Sequence, residues 1–335
     1  MEGYLETLTD PSYYGQIVTQ TFPLIGNYGV IEEDFEGASA LFGYIVRELC
    51  PTPSNFRSAY PLNEYLSAHG IPGLCGVDTR EIVRITREEG VMNAMICDEI
   101  PIDPNAGDGR VTDAAFLSAI NSYQVTDAVR SVTGKNMRFY PPQGRERARV
   151  SLIDYGAKRN IIRSLTSRGC AVSVFPATAE AGEILAADPD GIMLSNGPGD
   201  PKEAVFCIGE LKKLIGRKPL FGICLGHQLT ALALGGDTMK LKYGHRGGNQ
   251  PVRDTAAGRV YITSQNHGYA VVSASLKGVG IESFVNANDG SCEGMNYPDL
   301  DACTVQFHPE AASGPRDTAF LFDQFVARME ESRHA

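Results

Sequence analysis

The chain of 335 residues carries 30 Lys+Arg against 40 Asp+Glu, a formal charge of −10, with 43% hydrophobic and 21% charged residues. Such a length fits about two domains with ample core, and the composition excludes a disordered, collagenous or fibrous chain. The acidic balance counts against nucleic acid as a partner, because a binder of that kind usually shows a basic excess. Met1-Glu2-Gly3-Tyr4-Leu5-Glu6 has no basic segment followed by an apolar run, so no secretory signal is read there. The most apolar stretch, 220–236, is interrupted by His227 and Gln228 and is too short and too polar for a membrane span. The cysteines at 50, 75, 97, 170, 207, 224, 292 and 303 form no Cys-x-x-Cys pair. Zinc ribbons and thioredoxin-like sites therefore lose support, and a reducing, cytoplasmic setting is expected.

Pro11, Pro23, Pro51, Pro53, Pro61 and Pro72 chop the first half into short pieces. They point to a small mixed α/β domain, mostly strands, over 1–133. One helix is marked within it: Asp78 is an N-cap with Glu81 three residues on, a capping-box pattern, and Gly90 is a stop. Residues 134–149 hold Pro141-Pro142, Gly144, Arg145, Arg147 and Arg149 and read as an exposed linker. From 150 to 333 strands and helices alternate. Strands are predicted at 150–154, 171–175, 191–195 and 219–223. Helices carry Ile161, Ile162 and Leu165, then Ile208, Leu211 and Ile215, then 228–234. The alternation predicts an α/β fold with a mostly parallel sheet flanked by helices. Past Gly236, short runs at 260–263, 270–272, 281–285 and 303–307 read as antiparallel strands at a sheet edge. Phe322, Phe325, Val326 and Met329 form the apolar stripe of a closing helix.

The sharpest local feature is Gly222-Ile223-Cys224-Leu225-Gly226, where a buried strand turns into a helix. It is the nucleophile-elbow pattern with Cys in place of Ser. The helix N-terminus favours a thiolate, and the N–H of Leu225 can donate to an oxyanion. A buried strand-end cysteine between packing glycines explains the same pattern equally well. A nucleophilic cysteine needs a base and an orienter. His308-Pro309-Glu310 follows a strand, and in an extended chain residues two apart share a side, so imidazole and carboxylate can meet. A plain His-Pro turn is the alternative. Ser195-Asn196-Gly197-Pro198-Gly199-Asp200-Pro201 can present backbone N–H groups, and so can Ser264-Gln265-Asn266-His267-Gly268-Tyr269. Each is also an ordinary turn sequence. No Gly-x-Gly-x-x-Gly or Walker pattern occurs, so ATP is not expected on this chain. A metal set of Cys224, His267 and His308 is possible by ligand type, but no spacing asks for it and no metal is assigned.

Together and in this order, these segments resemble the class I (triad) glutamine amidotransferases over 150–327. Earlier blocks carry a narrower likeness: Leu8-Thr9-Asp10-Pro11-Ser12-Tyr13, Ile25-Gly26-Asn27-Tyr28-Gly29, Ser54-Asn55-Phe56-Arg57 and Gly76-Val77-Asp78-Thr79-Arg80. With Asp154-Tyr155-Gly156-Ala157-Lys158-Arg159-Asn160 and 244–251, they resemble the small-chain family of carbamoyl-phosphate synthases. The resemblance implies Cys224 as nucleophile, His308 as base and Glu310 as its orienter. It implies oxyanion donors on Leu225 and Gly197. It also implies that Gln228 and the backbone near Gly199, Asn266, Gly268 and Tyr269 hold L-glutamine by its amino and carboxylate ends. No cofactor is implied for this chain. ATP, Mg and bicarbonate are expected on a partner large subunit, which would receive the ammonia; no nucleic acid or membrane enters.

In the family, further strands and a glutamine-holding Ser precede the Met1-Glu2-Gly3-Tyr4 block. The expectation is an N-terminal domain incomplete at its start, with weakened glutamine affinity. The alternatives are a stand-alone triad-type γ-glutamyl hydrolase, or a shortened small chain impaired in catalysis.

Overall fold

Runs such as Gly191–Leu194 and Leu220–Ile223 are buried at every position, the mark of strands covered on both faces. They form the centre of a ten-stranded sheet in the computed structural model, which describes residues 3–101, 111–312 and 314–334. In chain order its strands are β1 (Arg138–Tyr140), β2 (Ala148–Asp154), β3 (Cys170–Pro176), β4 (Gly191–Leu194), β5 (Leu220–Ile223), β6 (Asp237–Asp254), β7 (Val260–Val272), β8 (Ile281–Asn286), β9 (Cys292–Tyr297) and β10 (Ala302–Val305). Across the sheet they run β7-β6-β8-β9-β10-β5-β4-β2-β3-β1. From β10 to β3 every neighbour is parallel. The strands β9, β8, β6 and β7 extend one side antiparallel, and β1 caps the other.

Besides the short helix Ala128–Val132, the helices described in this unit are α1 (Tyr4–Thr9), α2 (Arg159–Thr166), α3 (Ala181–Ala186), α4 (Val205–Leu214), α5 (Leu225–Ala233) and α6 (Phe320–His334). One core joins Ile161, Ile162 and Leu165 of α2 to Phe322, Phe325 and Met329 of α6, over Val150, Met193 and Phe221 of the sheet. The other core joins Ile184, Leu211, Leu225 and Leu229 over Ile153, Ile192 and Leu220. At roughly 1.5–3 kcal/mol per fully buried large apolar side chain, these two layers dominate the stability of the unit.

The chain divides into two compact units. The larger comprises Met1–Tyr14, Glu33–Ala40 and Asp127–Ala335; the smaller comprises Gly15–Glu32 and Leu41–Thr126. Residues 1–14 and 33–40, expected in a first domain, thus belong with the large sheet, as does 127–133. Residues 134–149, expected as a linker, carry β1, which pairs with β3 before Pro141-Pro142 ends it. Within the smaller unit the strands are only two or three residues long. Ile17–Thr19, Gly43–Ile45 and Gly73–Leu74 form one parallel sheet, and Leu24–Ile25 pairs with Glu48–Leu49. Helices Leu62–Ala68, Thr79–Glu89 and Ala114–Asn121 make up more of it than the strands do. Asp78 caps Thr79–Glu89 as predicted, accepting from the N–H groups of Arg80 and Glu81 at 3.1 Å. The reciprocal half of the capping box does not form, because the Glu81 carboxylate is held by Arg84 at 2.6–2.8 Å.

Two strand predictions are corrected. The strand predicted at 303–307 is not an antiparallel edge: β10 lies beside β5 and parallel to it, with Gly222 level with Thr304 and Ile223 with Val305. The runs 260–263 and 270–272 are one strand, β7, paired along β6 with two register shifts. The parallel register matters for the chemistry, because β5 and β10 end side by side and release their following residues at the same sheet edge.

Candidate active site

Cys224 leaves β5 with φ 53°, a left-handed conformation that a side chain rarely adopts. Its backbone N–H donates to Val305 O at 2.8 Å, so the strain is held by the neighbouring strand. Gly222 and Gly226 make the turn feasible. A Cβ on Gly226 would lie 2.6 Å from Leu194 Cβ, and one on Gly222 would press on Gly226 and Thr304 at 3.0 Å. Beyond the turn α5 begins at Leu225. The N–H of Gly226 is committed to Ser195 O at 3.1 Å, while Leu225 offers its N–H at the helix start, where negative charge is favoured.

Three residues past β10 comes His308. Its backbone N–H is fixed by Ser264 O at 2.9 Å, and Ala311 N–H returns to His308 O at 3.2 Å. The segment is therefore a turn, not the extended chain expected. The imidazole and carboxylate meet all the same: His308 Nδ1 donates to Glu310 Oε1 at 2.7 Å, with both side chains fully buried. This contact fixes the tautomer and leaves Nε2 without a hydrogen-bond partner among the described residues. Burial and Lys158 push the His308 pKa down, but Glu310 and the Cys224 sulfur outweigh them and lift it to about 9. Burial works against the Glu310 charge too, and His308 and Lys158 overcome it, holding its carboxyl at about 2.

Lys158 has no counterpart among the residues singled out for chemistry. Its ammonium lies 3.4 Å from Glu310 Oε1, 3.5 Å from Asp10 Oδ2 and 3.3 Å from His308 Nδ1, nearly out of water. Burial disfavours its charge, yet Asp10, Glu310 and Glu36 keep it protonated far above the usual lysine range. The loop before it is fixed by Asp154, whose carboxylate accepts from Gly156 and Ala157 N–H and from Arg138. Asn196 Oδ1 accepts from Lys158 N–H at 3.1 Å, and Asn196 Nδ2 donates to Ser12 Oγ at 2.9 Å. Glu36 accepts the first amides of α2, its O from Arg159 N–H at 2.7 Å and its Oε2 from Asn160 N–H at 2.8 Å. The Asn160 amide in turn donates to Glu310 O. Burial raises the Glu36 carboxyl to about 7 despite Lys158. Residues from 10, 12 and 36 thus brace the His308–Glu310 pair. No local pattern names these partners, since each brace is a contact made across more than a hundred positions.

The remaining expected residues come from α5, from β7 and from the loop after β4. Gln228 donates both amide hydrogens, to Tyr269 O at 3.0 Å and Gln306 Oε1 at 2.9 Å, which leaves its Oε1 as an acceptor. Asn266 O lies 3.9 Å from the Cys224 sulfur, and Asn266 Nδ2 donates to Asp10 Oδ2 at 3.4 Å. Gly268 and Tyr269 follow on β7. Gly197 packs so tightly that a Cβ there would fall 2.3 Å from Tyr155 O, and Gly199 turns with φ 90°. The arrangement joins a strained thiol, a buried acid–base pair and a loop of backbone groups. It is suited to acyl transfer through a thioester. Among the described residues no helix is long and apolar enough to cross a membrane.

The sequence matches two family models. One, glutamine amidotransferase class-I, covers residues 151–328; the other, carbamoyl-phosphate synthase small chain, CPSase domain, covers residues 1–96. The carbamoyl phosphate synthase small chain of Bacillus caldolyticus is 50% identical over 333 residues, 99% of this chain and 88% of that protein. Its counterpart in Syntrophotalea carbinolica is 45% identical over all of this chain and 91% of its own. The one in Fusobacterium nucleatum is 47% identical over 99% and 90% respectively.

Proposed function

Because the chain belongs to the small-chain family of carbamoyl-phosphate synthases and carries a class I glutamine amidotransferase domain, we propose that it is the glutamine-hydrolysing subunit of such an enzyme. It converts L-glutamine to glutamate and ammonia, and the ammonia passes to a large subunit that uses bicarbonate and ATP. The carbamoyl phosphate formed there feeds arginine and pyrimidine synthesis.

In this reading the Cys224 thiolate attacks the side-chain amide carbon of glutamine. The N–H groups of Leu225 and Gly197 stabilise the oxyanion, each by about 3 kcal/mol in sites of this kind. The imidazolium of His308 gives its proton to the departing nitrogen, so ammonia leaves and a γ-glutamyl thioester remains. The neutral ring then takes a proton from water, whose oxygen attacks the thioester and releases glutamate and thiolate. Glu310 holds the ring and its charge throughout. The free Oε1 of Gln228 suits the substrate's ammonium, and the backbone near Gly199, Asn266, Gly268 and Tyr269 suits its carboxylate end.

The observation that carries the reading is the parallel register of β5 and β10, which brings the strained Cys224 and the 2.7 Å His308–Glu310 contact to one edge. Its test is ammonia release from glutamine by the purified chain, alone and with a carbamoyl-phosphate synthase large subunit. Strong stimulation by the partner supports it, whereas hydrolysis at the same rate without the partner would favour a stand-alone γ-glutamyl hydrolase.

Glu310→Gln is expected to lower kcat by about 10²–10⁴, since the ring loses its fixed tautomer and its counter-charge. Alkylation of Cys224 by iodoacetamide should persist, and an unchanged turnover would make Glu310 structural only. The pH dependence follows from the two displaced groups. His308 is raised from 6.5 to about 9, so its ion-pair stability is complete below 6.5 and is lost as pH rises through 9. A pH–rate profile of kcat should therefore fall on an alkaline limb near 9. Glu310 is lowered from 4.5 to about 2, so its contribution is present above 4.5 and is lost as pH falls through 2. Acid titration of unfolding checks the second point.

A further inference from the structure

Behind the substrate-facing backbone of β7, two imidazoles and a carboxylate converge in the protein interior. His245 of β6, His267 of β7 and Glu293 of β9 are all buried, and one ligand atom from each lies within 4.8 Å of the others. We propose that they form a structural metal site for a divalent transition ion of zinc type, set directly behind the glutamine pocket.

The hydrogen bonds around the cluster orient it for that role. His267 Nδ1 lies 2.8 Å from Tyr269 O, which can only accept, so Nδ1 carries the proton and a neutral ring turns its Nε2 lone pair inward. That Nε2 faces a second acceptor, Gln265 Oε1, at 3.1 Å. His245 Nε2 lies 2.8 Å from Asp289 Oδ2, and its Nδ1 faces Glu293 Oε1 at 3.3 Å. An ion with bonds of about 2.0–2.1 Å in tetrahedral geometry spaces its ligands by about the same 3.3 Å. Glu293 Oε1 accepts from Asn286 at 3.0 Å, while Glu293 Oε2 is buried with no partner among the described residues. Each imidazole therefore has its outer nitrogen on a carbonyl or carboxylate, the pattern by which outer partners set metal-binding histidines, while the inner nitrogen of His267 faces Gln265 Oε1 and that of His245 faces Glu293 Oε1 and, at 3.4 Å, the Asn286 amide. A cation among the inner nitrogens and the orphaned Glu293 oxygen would take up lone pairs that otherwise face one another in the interior.

The ion would tie β6, β7 and β9 together. Tyr269 O, which holds the His267 proton, also accepts from Gln228, so the metal would stiffen the wall of the pocket without touching substrate. This inference is independent of the glutaminase reading, and its test uses metal content and unfolding rather than turnover. The full-length chain carrying Cys224→Ala, which removes the strained thiol as a competing ligand, is purified without chelator and analysed for bound metal. One zinc per chain is expected after zinc is supplied, with a rise in Tm that dialysis against EDTA reverses. Cobalt in its place should show visible bands of a nitrogen and oxygen site. Asp289→Asn, a change at an exposed residue whose folding the same unfolding scan checks, should weaken retention about 10–100-fold, and Glu293→Gln should abolish it. The proposal is overturned if the folded chain retains no ion and Tm ignores added zinc or cobalt. In that case a doubly protonated His245 between Asp289 and Glu293 fills the role. A sulfur-to-cobalt charge-transfer band would overturn it as well, by assigning the ion to a cysteine.

Discussion

Alanine at position 224 should remove glutamine-dependent carbamoyl phosphate synthesis from the assembled enzyme and leave synthesis from added ammonium intact. Loss of a covalent nucleophile in a triad lowers kcat by about 10⁶, because the other members have no bond-forming role without it. The fold should be unaffected. Cys224 is buried and small, its left-handed φ of 53° is imposed by Val305 and the flanking glycines, and alanine meets the same strain. The measurement is product formation from each nitrogen source by the complex. Loss of both activities would mean that residue 224 supports assembly rather than hydrolysis, and would remove the basis for the assigned chemistry.

The second large effect is expected at Lys158, which the structure makes the common counter-charge of Asp10, Glu36 and Glu310. Lys158→Met keeps most of the packing but leaves carboxylates buried without their cation. Breaking a buried ion pair in this way costs about 3–5 kcal/mol. Denaturant unfolding should show that loss, and kcat should fall because Glu310 no longer holds one position on His308. With Lys158 gone the Glu310 carboxyl titrates at higher pH, so the acid unfolding limb should move upward. Adding Asp10→Asn removes one of the stranded charges and should recover part of the stability, a coupling that a double-mutant cycle measures. Full additivity would show that the 3.5 Å approach carries no energy.

The elbow at Gly222–Gly226 was legible because its chemistry is local. A buried run, two glycines and a cysteine specify the strand, the turn and the helix start together. The nearness of His308 and Glu310 was also legible, but for a different reason than the one that holds, since a turn and not an extended strand joins them. The direction of β10 could not be read, as hydrophobic pattern reports burial and not the sense of a neighbour. Strand β6 went unread because Lys240, Lys242, Gly244, Gly247, Gly248 and Pro251 break any alternation. Its partner β7 was split because the buried positions in its middle are Thr263, Gln265 and His267 rather than apolar residues. That polar inner face is packed against other buried polar groups, and a search for hydrophobic periodicity passes over it. Lys158, Asp10, Ser12 and Glu36 lay beyond reach for the reason common to all long-range contacts: nothing near them in sequence records their partner.

The entry of residues 1–14 and 33–40 into the larger unit limits how the chain can be dissected. A gene fragment beginning at residue 127 would encode every member of the triad and yet lack Asp10, Ser12 and Glu36, the partners of Lys158, Asn196 and the start of α2. The amidotransferase half is therefore not a module that recombination or cloning can lift out in one piece. Two short stretches far upstream would have to travel with it, and their side chains would have to find the same carboxylate-lined niche after folding.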